Sequence, residues 1–528
     1  MEVTVQSGIA EKRKKTAAII YYAGLMMLVT GMPLSMFLMS VSQFVLLGSW
    51  IIEGNLLNKL KQFFSNKVCL ALFTVYLLHL IGLLYTTDFD YAFRDLRIKL
   101  PLLLLPLLFF TGPSLTTKQF FNLLKLFLVA CLLSSLVSTA VWLQIIDKPV
   151  NDIRDISIFI SHIRLSLLIS VAVFIAGFFA FNKSEAMPLR ILAVILILWF
   201  IGFLVILQSF TGLAAILATL IILSIKKLIE TKRYLSIGLI VLAIISISGW
   251  VSYYVFSEIQ LLRQEEVIDL DKLPATTSRG NAYTHERFKG DVENGHRIYM
   301  FVCYNELDSA WNTRSSVPYS GLDKKGQYLK YTLIRYMTSK GLHKDADGIE
   351  ALTSEDIKNI ENGIGSINEL KYSGIRSRIR NTIWELNNYL LGANASGHTL
   401  SMRFEFWKAS FYIIKNNLLF GVGTGDNQLE LYAYYQTNDN QLSKQWWLRS
   451  HNQFLALGVS FGMLGIGVFL FSILYPILSL EKYNSYFYLT FFSIAILSFM
   501  TEDTLETQAG VTFFAFFNSF FLLNKLTN

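Results

Sequence analysis

The stretch RSHNQFLALGVSFGMLG, residues 449–465, places a histidine at the edge of a long apolar run. His451, Gly458, Gly462 and Gly465 fall on one stripe of a helix, and small residues on a transmembrane stripe allow close approach of a neighbouring helix. The ring is therefore expected to face the protein interior. In the first turn of that helix the positive dipole end disfavours an imidazolium, so a neutral ring suited to general-base catalysis is expected. The alternative is a histidine that only caps the helix or anchors it at the headgroups.

Two arginines share the predicted outer level of His451. Arg164 lies in SHIRLSLL at the start of one apolar run, and Arg403 opens the amphipathic stretch that precedes His451. A guanidinium stays charged and pairs with phosphate oxygens as a planar fork. Displacement of a diphosphate leaving group requires cations that bind the phosphates and a base that accepts a proton. Two guanidinium groups beside a neutral histidine supply both. Taken singly, each arginine is better explained by snorkelling to headgroup phosphates.

Further charged and polar residues are secondary candidates: Arg97, Lys99, His162, Asn452, Glu502 and Glu506. Glu502 and Glu506 are one helical turn apart, in a short loop with Asp503, and could orient His451 or bind an acceptor sugar. A solvated acidic loop is an equal alternative. Arg97 and Lys99 attract an anionic donor or, more simply, anchor a helix at the interface.

The elements that hold these residues are membrane helices. The 528 residues are 53% hydrophobic and 16% charged, with a mean hydropathy of +0.45, which is typical of a polytopic membrane protein. We predict an all-α chain of about twelve transmembrane helices. Two of the runs, 98–111 and 211–225, are short for a span. The runs are 17–34, 36–53, 68–85, 98–111, 119–145, 163–181, 190–207, 211–225, 234–256, 452–477, 485–500 and 508–524.

Lysines and arginines set the expected orientation, since basic loops stay in the cytoplasm. The basic clusters at 12–15, 59–67 and 226–233 fall on one side of the twelve-span arrangement. Both termini are therefore expected in the cytoplasm, and the first span is interpreted as an anchor and not a cleaved signal peptide. Residues 1–256 then hold helices 1 to 9, residues 257–450 a large periplasmic loop region, and residues 451–528 helices 10 to 12. The net charge of +8 is explained by basic cytoplasmic loops that contact anionic lipid headgroups, so it does not indicate that the protein binds a nucleic acid.

Two segments of the loop region have a predicted structure. In LTSEDIKNIENGIG, Thr353 or Ser354 caps a helix and Gly363 ends it. In the stretch 403–420, Phe404, Trp407, Phe411, Ile414 and Leu418 recur every three or four residues, which is typical of an interfacial helix. The glycines at 421, 423 and 425 indicate a flexible turn more than a phosphate-binding loop.

The position of the candidate residues on the outer face of the membrane limits the classes of reaction to be considered. ATP and nucleotide sugars are cytoplasmic, so an outer-face enzyme needs an activated group already carried across the membrane, for which a lipid diphosphate is the natural donor. An HExxH motif does not occur in the sequence. A displacement without a metal ion or cofactor is therefore expected.

The stretch HNQFLALGVSFGMLG resembles the histidine motif of the O-antigen ligase and O-antigen polymerase superfamily. The preceding RFEFWKASFYIIKNNLLFGVGTGDNQ is similar to that family's approach to the motif, and weaker similarity extends to DYAFRDLRIKLPLLLLPL, SHIRLSLLIS and TEDTLETQAGVTFFAFF. The resemblance implies a membrane glycosyltransferase of the C class, with His451 as catalytic residue and Arg164 and Arg403 on the diphosphate. Phe210 departs from the family, whose members often carry an arginine there.

The resemblance also implies the substrates and the place. The donor would be an undecaprenyl-diphosphate-linked glycan, and the acceptor a hydroxyl of lipid A core, as in lipopolysaccharide biosynthesis at the periplasmic face of the bacterial inner membrane. An O-antigen polymerase or a protein O-oligosaccharyltransferase fits the same motifs. A lipid-linked glycan flippase or other transporter is the alternative from another class, although few ionisable residues lie at mid-membrane depth.

Overall fold

The computed structural model describes residues 2–150, 153–262, 273–286, 292–371, 374–438 and 440–523. Its elements are almost all helices. The first eleven are α1 Glu2–Leu34, α2 Met36–Glu53, α3 Leu56–Ser65, α4 Lys67–Ile81, α5 Phe89–Lys99, α6 Pro101–Thr111, α7 Thr117–Trp142, α8 His162–Phe181, α9 Met187–Ile206, α10 Phe210–Glu230 and α11 Tyr234–Leu262.

The remaining elements include one small hairpin. They are β1 Val292–Glu293, β2 His296–Arg297, α12 Tyr304–Arg314, α13 Leu329–Ser339, α14 Ala346–Glu350, α15 Ser354–Glu361, α16 Ile367–Lys371, α17 Gly374–Leu390, α18 Thr399–Asn416, α19 Asn427–Thr437, α20 Gln453–Ser479, α21 Tyr486–Thr501 and α22 Gln508–Leu522. Strands β1 and β2 pair antiparallel.

The chain is an all-α, multi-pass membrane protein, as the sequence predicts. Within the described ranges, nine helices are long and apolar enough to cross a bilayer, against the expected twelve. The predicted span 98–111 is divided, because Pro101 starts a new helix of only 11 residues. Helices α21 and α22 have 16 and 15 residues, about 24 Å or less at the usual rise, which is shorter than a hydrocarbon core of about 30 Å.

Helix α22, the last of the chain's described helices, lies at the centre of the bundle. Nearly every residue of α22 is buried, and its phenylalanines pack edge-on or stacked against α7 and α21. Phe520 stacks on Phe120 with ring centroids 4.8 Å apart, and Phe521 stacks on Phe487 at 5.6 Å. Such pairs add about 0.5–1.5 kcal/mol each beyond burial. The loop just before α22 is thereby held against the bundle.

The hydrophilic segment between α11 and α18 has a core of its own, centred on Trp311, Tyr336 and Met337. Its helix α15 matches the sequence prediction. Thr353 is the N-cap in a capping box with Asp356, and Gly363 follows the helix with a φ of +77°. The predicted cap and terminator are both confirmed.

The predicted interfacial helix is shifted. Helix α18 begins at Thr399 and ends at Asn416, so Leu418 lies beyond it. Its buried face includes Met402, Phe406 and Ile413 together with Ile414 of the predicted stripe, whereas Phe411 is exposed. Both faces of α18 carry large apolar side chains, and the position of this helix in the membrane interface stays a prediction.

The glycine-rich loop after α18 is a packed joint and not a flexible turn. Gly421 and Gly423 have φ values of +65° and +101°, and a side chain on Gly425 would collide with the backbone oxygen of Asp88. Directly after the loop, the buried Asp426 carboxylate accepts hydrogen bonds from the backbone N–H groups of Thr87 and Asp88. This contact fixes the start of α19 to the start of α5.

Helix α20 is broken at Gly462, in its first half. Gly462 has a φ of +63° and a ψ of −160°, a conformation essentially restricted to glycine. The backbone of Leu418 and Leu419 fills the gap, since Leu418 O accepts from Met463 N at 2.8 Å. The expected continuous stripe from His451 through Gly465 is therefore wrong.

Replacing Gly462 by alanine should strongly destabilise the fold. The new Cβ would lie 2.5 Å from Leu419 backbone atoms, and the backbone conformation itself costs about 1–3 kcal/mol for another residue. We expect a clearly lower midpoint of thermal unfolding in detergent. Gly467→Ala is the matched control, because a Cβ added to Gly467 would meet no neighbouring atom within 4 Å; equal midpoints for both variants would contradict the packing described.

Candidate active site

His451 lies outside the helix that the sequence assigns to it. Helix α20 begins at Gln453, and Asn452 is its N-cap, with a side chain that accepts from Leu455 N. His451 has a φ of +46°, so it sits in a left-handed turn two residues before the helix. The expected position in the first helical turn is wrong. The turn instead aims the ring at the loop between α21 and α22.

Glu502 in that loop links two of the predicted site residues. Its Oε2 lies 3.2 Å from His451 Nδ1, and its Oε1 lies 2.6 Å from Arg403 Nη2. Since an ionised carboxylate can only accept, Nδ1 carries a hydrogen and Nε2 of a neutral ring is the accepting nitrogen. Burial raises the pKa of Glu502, but His451, Arg403 and Arg164 lower the pKa more, so the net shift is downward.

Arg164 completes the cluster from a third element. It is the third residue of α8 and is 7% exposed. Its Nε donates to Thr507 Oγ1 at 3.3 Å. Its Nη1 is buried, and no hydrogen-bond partner for it is found in the described ranges. A buried donor without a partner is costly, so this nitrogen marks a place where an anionic ligand would be stabilised.

Arg449 and Asp503 belong to the same cluster, although the sequence pattern does not identify them as site residues. Arg449 Nε lies 3.2 Å from Asp503 Oδ2, and Asp503 Oδ1 lies 3.9 Å from His451 Nδ1. Burial raises the pKa of Asp503 more than Arg449 and His451 lower it. The one sequence signal is the position of Arg449, two residues before the histidine.

Lys99 and Glu506 form a second, adjoining cluster. Lys99 is 1% exposed, and its Nζ lies 2.5 Å from Asp95 and 2.8 Å from Glu506. The expectation that Lys99 anchors a helix at the interface or attracts a donor is therefore wrong, because its charge is buried and paired. Glu506 faces Lys99, not His451. Burial raises the pKa of Glu506, yet Lys99 and Arg449 lower the pKa more.

The other secondary candidates have simpler positions. Arg97 is exposed on α5, and His162 is the first residue of α8. Asn452 donates from Nδ2 to Met500 O at 2.9 Å, besides capping α20. Glu502 and Glu506 are not on one helical turn, because α21 ends at Thr501.

Three of these side chains could hold a metal ion by distance alone. Ligand atoms of His451, Glu502 and Asp503 lie within 4.8 Å of one another. Each carboxylate already faces an arginine, Glu502 facing Arg403 and Asp503 facing Arg449. Two guanidinium groups, each on the carboxylate oxygen that does not face His451, disfavour a further cation by Coulomb repulsion. Chemistry without a metal stays a prediction.

The sequence from α15 to the middle of α20 carries a family signature. Residues 355–470 match the family model O-antigen ligase. The resemblance to the O-antigen ligase superfamily is therefore confirmed, and the matched segment contains Arg403, Arg449 and His451. Arg164 and Glu502 lie outside the segment that matches O-antigen ligase. The fold brings them next to Arg403 and His451, which lie inside it. No curated protein matches the chain.

Glu502→Gln should lower the stability of the folded state at neutral pH. The variant leaves Arg403 beside a neutral amide, and losing a hydrogen bond to a charged partner costs about 1.5–3 kcal/mol. Because the pKa of Glu502 is below its ordinary 4.5, the carboxylate contributes stability above that pH and loses it as pH falls through the lowered pKa. Thermal unfolding measured from pH 7 to pH 3 should show the two proteins converging only below about pH 4.5. Convergence already near pH 6 would show that Glu502 is not held ionised.

Proposed function

We propose that this protein transfers a glycan from an undecaprenyl-diphosphate carrier to an acceptor hydroxyl, without a metal ion and with inversion at the sugar carbon. The observation that carries the proposal is that one carboxylate, Glu502, is shared by His451, whose ring it orients, and by Arg164, whose buried Nη1 has no partner in the described ranges. The ring can accept a proton, and the buried Nη1 can bind a phosphate oxygen. The O-antigen ligase match supports lipid-linked and acceptor glycans as the substrate classes.

His451 acts as the general base in this proposal. The acceptor oxygen attacks the anomeric carbon, the acceptor proton goes to Nε2, and the bond from that carbon to the diphosphate breaks. Glu502, on Nδ1, holds the ring in the required tautomer and stabilises the imidazolium that forms. A positioned base contributes about a hundred-fold to ten-thousand-fold.

The leaving diphosphate is assigned to Arg164 and Arg403. Only Nη2 of Arg403 takes part in the ion pair with Glu502, so its Nε and Nη1 can point elsewhere. Fixed cations aimed at developing charge in a site of low dielectric commonly supply the larger part of a rate enhancement. Arg449 faces two carboxylates, Asp503 and Glu506, whereas Arg403 faces one, which makes Arg449 the weaker candidate for the phosphate.

The acceptor and the side of the membrane belong to the proposal too. We assign the acceptor as lipid A core and the active site to the periplasmic face of the inner membrane, with both termini in the cytoplasm and the segment between α11 and α18 outside. The same chemistry would serve an O-antigen polymerase or a protein O-oligosaccharyltransferase. Reconstitution with carrier-bound glycan and each acceptor in turn identifies the member, since the acceptor that gains mass is the substrate.

His451→Ala should reduce transfer by about a hundred-fold or more, because the variant lacks the ring nitrogen that takes the acceptor proton. The measurement is mass gain of the acceptor with purified protein in lipid nanodiscs. His398→Ala is the control, since His398 pairs with Glu385 outside the cluster and should keep full activity. Full transfer by a correctly folded His451→Ala variant would exclude the mechanism.

Arg164→Ala should reduce transfer mainly through loss of leaving-group stabilisation, by about a hundred-fold to a thousand-fold if it resembles removal of one oxyanion donor. Arg97→Ala removes an equal charge from an exposed position on α5. Rates at low and high salt separate two causes, because long-range attraction is screened and a buried contact is not. Equal, salt-dependent losses in both variants would mean that Arg164 only attracts the donor.

A further inference from the structure

A cleft of about 520 Å³ adjoins the candidate active site. It is lined by Tyr91, Arg94, Asp95, Ile98, Gln428, Tyr432, Arg449 and Glu506. Arg449 forms the boundary between the two, because it lines the cleft and pairs with Asp503, whose Oδ1 lies 3.9 Å from His451 Nδ1. A ligand in the cleft would therefore lie beside the reacting groups.

The two walls of the cleft are fixed to each other. One wall is α5 and the other is α19, and the buried Asp426 carboxylate joins their first turns through the N–H groups of Thr87 and Asp88. At the base, Lys99 bridges Asp95 and Glu506. A pocket whose polar groups are held in advance loses little entropy when a ligand binds.

The lining does not favour the diphosphate as the ligand. The cations Arg94, Arg449 and Lys99 at the cleft are matched in number by the carboxylates of Asp95, Glu506 and Asp503, so the charges balance and the cleft has no excess positive charge for an anion. Carboxylates accept hydrogen bonds from hydroxyl groups, and guanidinium and amide groups donate them. The lining thus fits a neutral molecule with many hydroxyl groups.

Aromatic surface adds the second part of the recognition. Tyr432 is 43% exposed and lies 6.3 Å from the ring of Trp447, which supports it from outside the cleft. Tyr91 carries the guanidinium of Arg94 over its ring at 5.0 Å, so Tyr432 offers the freer face. An aromatic ring beside converging polar groups packs against the C–H groups of a sugar while its hydroxyls are hydrogen-bonded.

We propose that this cleft is a saccharide subsite that holds a sugar unit next to the bond that forms or breaks. The inference rests on the proposed function and names its glycan-binding residues, with Tyr432 as the stacking residue and Gln428, Asp95 and Glu506 as hydroxyl partners. The sugar comes from the acceptor or from the donor glycan, and both sources present the same chemistry to the cleft.

Equilibrium binding to the full chain in lipid nanodiscs tests the subsite without using activity. Two probes are used, the core oligosaccharide released by mild acid from lipopolysaccharide and the glycan released by mild acid from the lipid carrier of the same cells. We expect the wild type to bind one of them, and Tyr432→Ala and Gln428→Ala to weaken that binding about ten-fold. Tyr331→Ala, at a tyrosine 52% exposed in α13, is the control and should bind as the wild type does.

The outcomes separate this inference from the proposed function. Binding of the core oligosaccharide assigns the cleft to the acceptor, and binding of the carrier-derived glycan assigns it to the donor. Unchanged binding by both cleft variants, or no binding of either probe by the wild type, overturns the subsite even if the enzyme transfers glycan. Binding that depends on Tyr432 in a protein with no transfer activity would instead retain the subsite and overturn the proposed function.

Discussion

The carboxylate of Glu502 is the contact on which the arrangement of the site depends. It is 3% exposed and lies between His451 and Arg403, which come from different parts of the chain. A buried carboxylate is costly unless it is paired and hydrogen-bonded. Its charge is compensated only when α18, the turn before α20 and the loop after α21 are all in place. One buried charge thus fixes the position of the ring, its tautomer and the orientation of the neighbouring guanidinium.

The membrane helices could be predicted from sequence because apolar runs of bilayer length leave little choice to the backbone. The predicted run 36–53 and the observed α2 coincide, and most other ends differ by a few residues. The errors have local causes that hydropathy does not register. Pro101 divides the predicted run 98–111 into two helices. Gly462 interrupts α20 where its backbone contacts Leu418 and Leu419, which are distant along the chain.

For the site, residue type could be predicted, but partners could not. His451, Arg164 and Arg403 stand out in the sequence because a titratable ring and two permanent cations share one predicted membrane level, and the structure brings them together around Glu502. The pairing of Lys99 with Glu506 could not be foreseen, since nothing in either local sequence refers to the other. The same reason hides Arg449 and Asp503. The roles of these charged residues depend on ion pairs with the loop between α21 and α22, which is distant from most of them along the chain.

The pairing of Lys99 with Glu506 joins residues 407 positions apart, and this bears on how the protein is made. The ribosome delivers Lys99 to the membrane early, when only Asp95 on the same helix can neutralise it. The second carboxylate arrives after residue 506 has left the translocon. Until then Asp95 is the one carboxylate that pairs with Lys99 among the described residues. Synthesis of the last loop therefore completes the ion-pair network around Lys99 late in biogenesis.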